Sequence, residues 1–201
     1  MDFDLIKAAA GRLRGHARET PLLNSPFLDE IAGRPVWVKA ECLQHTGSFK
    51  YRGAFAAISA LSEAQRRKGV LAFSSGNHAQ GVALAANQHN TSALIIMPED
   101  APRIKINNTK ALGAEVQLYD RHKESREPIG ATLADQRGLT LIKPYDEPQV
   151  IAGQGTTGLE IADQCAALNI ERADVLVCCG GGGLTSGIAI ALADAAPQMK
   201  V

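Results

Sequence analysis

The sequence predicts an α/β fold built on a parallel sheet. Short apolar runs alternate with segments of helical periodicity, and glycine-rich turns sit where run meets helix. Runs such as Val70-Leu71-Ala72-Phe73 and Ala93-Leu94-Ile95-Ile96-Met97 are apolar at every position, as strands buried on both faces are. Alternation of this kind means parallel strands joined by right-handed helical crossovers.

The elements follow in order. Val36-Trp37-Val38-Lys39-Ala40 reads as a strand. Gly53 to Leu61 carries Phe55, Ile58 and Leu61 at helical spacing. Ser62-Glu63-Ala64-Gln65 is a capping-box pattern that opens a short helix, stopped near Gly69. Val70 to Phe73 is a strand, Ser74-Ser75-Gly76-Asn77-His78 a turn, and Ala79 to Gln88 a helix. Ala93 to Met97 is a strand ended by Pro98. A helix runs from Pro102 and closes at Gly113, followed by a strand from Glu115 to Tyr119 and a helix from Arg126 to Arg137. Thr140-Leu141-Ile142 is a strand stopped before Pro144. Gly153-Gln154-Gly155-Thr156 reads as a glycine turn, mainly architectural, before a helix from Thr157 to Leu168. Val175-Leu176-Val177-Cys178-Cys179 is a strand, and Thr185 to Ala195 a helix broken by Pro197. No linker marks a boundary, so a second domain is expected as an insertion in the first.

Composition excludes little but is consistent with a soluble globular enzyme: of 201 residues, 45% are hydrophobic and 21% charged. Lysine plus arginine and aspartate plus glutamate both number 21, which gives no electrostatic case for nucleic acid or an anionic membrane. No stretch approaches the roughly 18 apolar residues of a membrane span, and Asp2, Asp4 and Lys7 interrupt any signal-like start. A cytoplasmic protein is expected. Cys42, Cys165, Cys178 and Cys179 form no C-x-x-C pair and read as buried free thiols. The five histidines lack ligand spacing, so no metal is assigned.

Two segments carry chemistry. Lys50 lies in Thr46-Gly47-Ser48-Phe49-Lys50-Tyr51-Arg52-Gly53-Ala54, a lysine offered from a tight turn. An exposed lysine is a poor nucleophile, and burial beside an apolar or cationic neighbour frees its amine. Arg52 is placed either to pair with a carboxylate or to face solvent. The second segment, Gly180-Gly181-Gly182-Gly183-Leu184, follows an apolar strand and precedes a helix. Four glycines cost conformational entropy without a packing return, and their N–H groups at a helix start suit a phosphate monoester. The segment lacks the lysine of a P-loop and the acidic residue of a dinucleotide site. Lysine and phosphate cradle together match one cofactor, pyridoxal phosphate. In the turn at Ser74 to His78, N–H groups and hydroxyls suit a substrate carboxylate, and Asn77 a phenolic oxygen; His78 by itself reads as a capping or packed histidine.

Taken together, the segments Glu41 to Ala54, Ser74 to Gly81, Ile96-Met97-Pro98, Gly113 to Val116, Ile151 to Thr156 and Gly180 to Leu184 resemble the fold type II pyridoxal-phosphate enzymes, in the threonine dehydratase and serine racemase group. The resemblance implies a tryptophan synthase β-like α/β fold of two parallel-sheet lobes. The small domain spans 69–146, and 1–68 with 147–201 form a large cofactor-binding domain that is incomplete. It implies Lys50 as the Schiff-base lysine and proton carrier at the substrate α-carbon, with Ser75 as acid/base on the opposite face. Phe49 and Asn77 would meet the cofactor ring, and Gly180, Gly181, Gly182, Gly183 and Leu184 its phosphate. Ser75, Gly76, Asn77, His78 and, more weakly, Arg126 would hold the substrate. The implied activity is an ammonia-lyase (dehydratase) acting on L-threonine and L-serine. Serine racemase and hydroxyaspartate dehydratase are the alternatives within the fold, β-replacement a more distant one, and a non-catalytic cofactor-binding fragment the alternative outside it. A homodimer is implied. Family members run well past the position of Val201, and the partner of the pyridine nitrogen and any divalent-cation site belong to that later part. A sheet cut there should leave an apolar strand edge bare.

Overall fold

A four-stranded parallel sheet forms the centre of the computed structural model, which describes residues 2–201. Its strands are β3 (Val70–Phe73), β4 (Ala93–Pro98), β5 (Glu115–Tyr119) and β6 (Thr140–Leu141), in the spatial order β5-β4-β3-β6. The two central strands are the two runs apolar throughout; Val70, Leu71, Ala72 and all of β4 are buried. Before β3 lie α1 (Phe3–Leu13), β1 (Leu22–Asn24), α2 (Pro26–Ala32), β2 (Trp37–Lys39), α3 (Lys50–Ser59) and α4 (Glu63–Lys68). Between and after the later strands come α5 (Asn77–Gln88), α6 (Arg103–Ala111), α7 (Arg126–Arg137), α8 (Pro148–Ala167) and α9 (Gly183–Ala195).

The capping box is present: the Ser62 hydroxyl accepts from Gln65 N, and Gln65 Oε1 accepts from Ser62 N at 2.9 Å. Several expectations need correction. The glycine turn at 153–156 is helical and lies inside α8. Its glycines serve close packing: a Cβ added at Gly155 would come within 2.9 Å of Gly187 O, and one at Gly187 within 2.6 Å of Ile151 O. Glycine or serine in the first turns of α3 and α9, and just before α5, likewise hid where those helices begin. α1, α2 and β1 were not anticipated. α1 is capped by Asp2, which accepts from Leu5 N, and it buries Ile6, Ala9 and Leu13.

The 36–40 run does form a strand, β2, but outside the parallel sheet. β2 pairs antiparallel with β1, and Trp37 and Val38 are exposed. The 175–179 run also lacks a ladder; one parallel bridge joins Asp174 to Lys200. Val175 and Val177 turn inward onto Ile161, Ile188 and Leu192, while Leu176 is 97% exposed. Cys178 and Cys179 are therefore on the surface, as is Cys42, and only Cys165 is buried. Alternation along an extended segment explains this: one face finds a core and the other does not.

Candidate active site

The strand order places a topological switch between β3 and β6. β3, β4 and β5 progress to one side, and the chain then returns to lay β6 on the other side of β3. In open parallel sheets, ligands bind beyond the C-terminal strand ends at such a point. The segments leaving β3 and β6 there are Ser74-Ser75-Gly76 and Ile142-Lys143-Pro144-Tyr145.

Lys50 faces this point from the first position of α3. Its Nζ donates to Pro144 O at 2.6 Å and lies 5.3 Å from the Phe49 ring centroid and 5.9 Å from that of Tyr145. Burial lowers its pKa below the usual lysine value. The turn before it is tense: Thr46, a β-branched residue, holds φ 59°, in the left-handed region. α5 seats against the same point, since a Cβ at Gly81 would lie 3.1 Å from the Lys50 carbonyl carbon.

Arg52, two positions on, is fully buried and fixes α3 in place. Its Nε and Nη2 each donate to one Glu41 oxygen at 2.8 Å, its Nη1 donates to Glu160 Oε1 at 2.5 Å, and its Nη2 also reaches Glu160 Oε2. Lys39 Nζ completes a neutral set of two cations and two carboxylates, at 2.6 Å from Glu160 Oε2. Pairing with a carboxylate was thus the correct one of the two alternatives. The network itself joins residues far apart in sequence, and no local signal marked it.

His78 is buried, and its Nε2 lies 3.0 Å from Ile142 O, which ties the loop after β6 to α5. Burial, with Lys50 nearby, pushes its pKa down to about 4. Ser75 on the β3–α5 connection and Asn77 at the first position of α5 are exposed; the Asn77 side-chain oxygen accepts from Lys105 Nζ at 3.0 Å. Arg126 reaches the same connection. It lines a small cavity of about 100 Å³ with Ser74, Ser75, Ile96, Pro98, Tyr119 and Arg121, and its guanidinium lies 5.8 Å from the Phe73 ring.

The glycine segment opens α9. Gly182 holds φ 84° and Gly183 begins the helix. A Cβ at Gly180 or Gly182 would meet nothing within 4 Å, so this rim faces open space. At Gly181, however, it would run into the Tyr145 ring, which therefore stands against the glycines on one side and Lys50 on the other. Tyr145 is a residue the sequence reading missed; its only signal was its place just beyond the last strand of the sheet. The structure thus brings Lys50, Phe49, His78 and Tyr145 together, and Tyr145 links them to the glycine segment at Gly181. No hydrogen bond among the described residues joins Lys50 to Ser75, Asn77 or Gly180, Gly181, Gly182, Gly183 and Leu184.

Residues 13–201 match the family model described as pyridoxal-phosphate dependent enzyme. The chain belongs to that family. An L-threo-3-hydroxyaspartate ammonia-lyase of Pseudomonas sp is 52% identical over 97% of this chain and 60% of its own length. An L-threonine ammonia-lyase of Thermotoga maritima is 42% identical over 98% of this chain and 48% of its own length. The structure of maize serine racemase superposes with a TM-score of 0.91 at 38% identity, covering 98% of this chain and 59% of that one. The chain thus spans about half to three fifths of these relatives. They share the fold type II architecture, and the cofactor of the family is pyridoxal phosphate.

The residues present fit that cofactor. A glycine rim with open space before it, at the start of a thirteen-residue helix, presents backbone N–H groups to an anion. A half-buried lysine with a lowered pKa stands on the other side of the Tyr145 ring. No helix among the described residues is long and apolar enough to cross a membrane.

Proposed function

We propose that this chain forms the cofactor- and substrate-binding part of an ammonia-lyase that converts a small β-hydroxy amino acid to a 2-oxo acid and ammonia. L-Threonine and L-serine are the substrates expected from the sequence. The observation that carries the reading is Lys50: a half-buried amine at the sheet's switch point, hydrogen-bonded to Pro144 O, with the Tyr145 ring between it and the glycine segment.

When bound, pyridoxal phosphate supplies an electron sink for the charge left at the substrate α-carbon. Lys50 would hold it covalently, then carry the α-proton once the substrate has displaced the lysine. Phe49 would flank the ring, Asn77 would donate to its oxygen, and Gly180, Gly181, Gly182, Gly183 and Leu184 would enclose the phosphate. The start of α5, with Ser75, Gly76, Asn77 and His78, offers N–H groups to the substrate carboxylate. Ser75 would serve the face opposite Lys50. The division into a small domain, 69–146, and a large one, 1–68 with 147–201, puts the cleft between them, and a homodimer is proposed from the resemblance.

One observation favours a second reading. Arg121 and Arg126 both line the cavity at Ser75. Two guanidinium groups suit a substrate with a second carboxylate, such as 3-hydroxyaspartate, and the Pseudomonas relative carries that name. The test is a product assay with L-threonine, L-serine and L-threo-3-hydroxyaspartate, scored for oxo acid, ammonia and D-amino acid. Oxo acid from threonine or serine supports the first reading. Oxo acid from hydroxyaspartate alone, lost selectively in Arg126→Met, supports the second. D-Serine without oxo acid makes the protein a racemase. No turnover, with the cofactor bound at Lys50, leaves a binding fragment.

A further inference from the structure

Gln154 is the most deeply buried polar side chain that the site leaves unexplained. It is 1% exposed, and neither its amide nitrogen nor its amide oxygen has a hydrogen-bond partner. A buried amide with both ends unmet is costly to keep, and native proteins retain few of them. Its position is specific. α8 carries it between two other elements: a Cβ at Gly183 would lie 2.8 Å from Gln154 Oε1, and one at Gly53 would lie 3.1 Å from Gln154 Nε2. The amide therefore fills the space between the first residue of α9 and the helix that begins at Lys50. Tyr145 O lies against Gly183 from the other side, 2.9 Å from the same added Cβ. The Thr185 hydroxyl, in the first turn of α9, is also buried without a partner. Two unmet polar side chains thus lie at the helix start that offers its N–H groups to an anion.

We infer that Gln154 is the positioning residue of the phosphate-binding glycines: its amide braces the start of α9 from below and sets the glycine segment's shape for a phosphate monoester. The inference rests on the proposed cofactor role of that segment. Its physical content is a division of labour. Gln154 governs affinity for the phosphate end of the cofactor and leaves the reactivity of Lys50 alone. A neutral amide is the right chemistry there, because a carboxylate beneath the site would repel the phosphate.

The experiment compares the unmutated chain with Gln154→Leu and Gln154→Glu. Each is titrated with pyridoxal phosphate and with pyridoxal, which lacks the phosphate, reading the visible absorbance of the lysine-linked product. The thermal midpoint of each protein without cofactor is measured alongside. In Gln154→Leu, affinity for pyridoxal phosphate should fall about tenfold, as the glycine segment loses its set shape. Affinity for pyridoxal should not change, and the midpoint should hold or rise, since two unmet polar atoms have gone. Gln154→Glu should lose more affinity for pyridoxal phosphate than Gln154→Leu does.

Equal affinity for pyridoxal phosphate in all three proteins would overturn the inference. So would an equal loss for both ligands, or a loss that tracks a lowered midpoint. If Gln154→Leu does not fold, Gln154→Met replaces it, and failure of both would mark Gln154 as purely structural, which also overturns the inference. If the unmutated chain links neither ligand, the reading of Lys50 fails separately. Inorganic phosphate followed by phosphorus NMR then decides: broadening with the unmutated chain that weakens in both variants supports the role of Gln154, and broadening that is absent or equal in all three overturns it.

Discussion

A lysine that must offer a neutral amine needs a dry setting and no carboxylate beside it. Lys50 is half-buried between Phe49 and Tyr145, and its hydrogen-bond partner is a backbone carbonyl rather than a carboxylate. Lys50→Ala should abolish the visible absorbance of the linked cofactor, and an unchanged band would reject the assignment. In the unmutated chain, the rate of linkage should rise with pH and level off below the 10.5 of an unperturbed lysine, because burial lowers the pKa. His78 gives a second pH dependence with a definite sign. Its folded pKa is depressed from 6.5 to about 4, so between those values the unfolded chain binds the proton and the folded chain does not. Stability should fall by about 3 kcal/mol as pH drops through that window, at about 1.4 kcal/mol per unit. Urea titrations of His78→Gln, which keeps a donor toward Ile142 O, should show a flatter profile. A fall as steep as in the parent would assign the effect to other groups.

Between the elements, small residues and one charge network hold the site. Gly187→Ala would press a methyl against Ile151 O in the α8–α9 contact, and should cost about 1–3 kcal/mol in urea unfolding. Arg52→Met would leave the partly buried Glu41 and Glu160 with only Lys39 between them, and should cost about 2–4 kcal/mol; a variant as stable as the parent would show that the network relaxes freely. These contacts also explain what the sequence made legible. Strands such as 70–73 and 93–98 stand out because burial on both faces leaves a continuous apolar run. The lysine turn and the glycine segment stand out because their chemistry is local. α8 was cut short because its glycines signal a turn by composition, and only a neighbouring helix shows that they make room. Likewise, Arg52's partners lie 11 and 108 positions away, beyond the reach of periodicity.

Over the whole molecule, the 175–179 segment runs on past its single bridge without a ladder. Leu176 is almost wholly exposed while Val175 and Val177 are held inward. Such an edge invites pairing with another chain. Leu176→Lys should lower concentration-dependent association, measured by light scattering, without changing cofactor linkage at Lys50; association that persists unchanged would place the contact elsewhere. The parallel sheet has a weakness of a different kind. β6 meets the sheet through two register pairs, Val70 with Thr140 and Leu71 with Leu141, yet the segment it releases supplies both Pro144 and Tyr145 to the cleft. A wall fastened by so few rungs can breathe without the sheet melting. Amide hydrogens of Thr140 and Ile142 should therefore exchange with deuterium well before those of β4, and a ligand seated at Lys50 should slow them first.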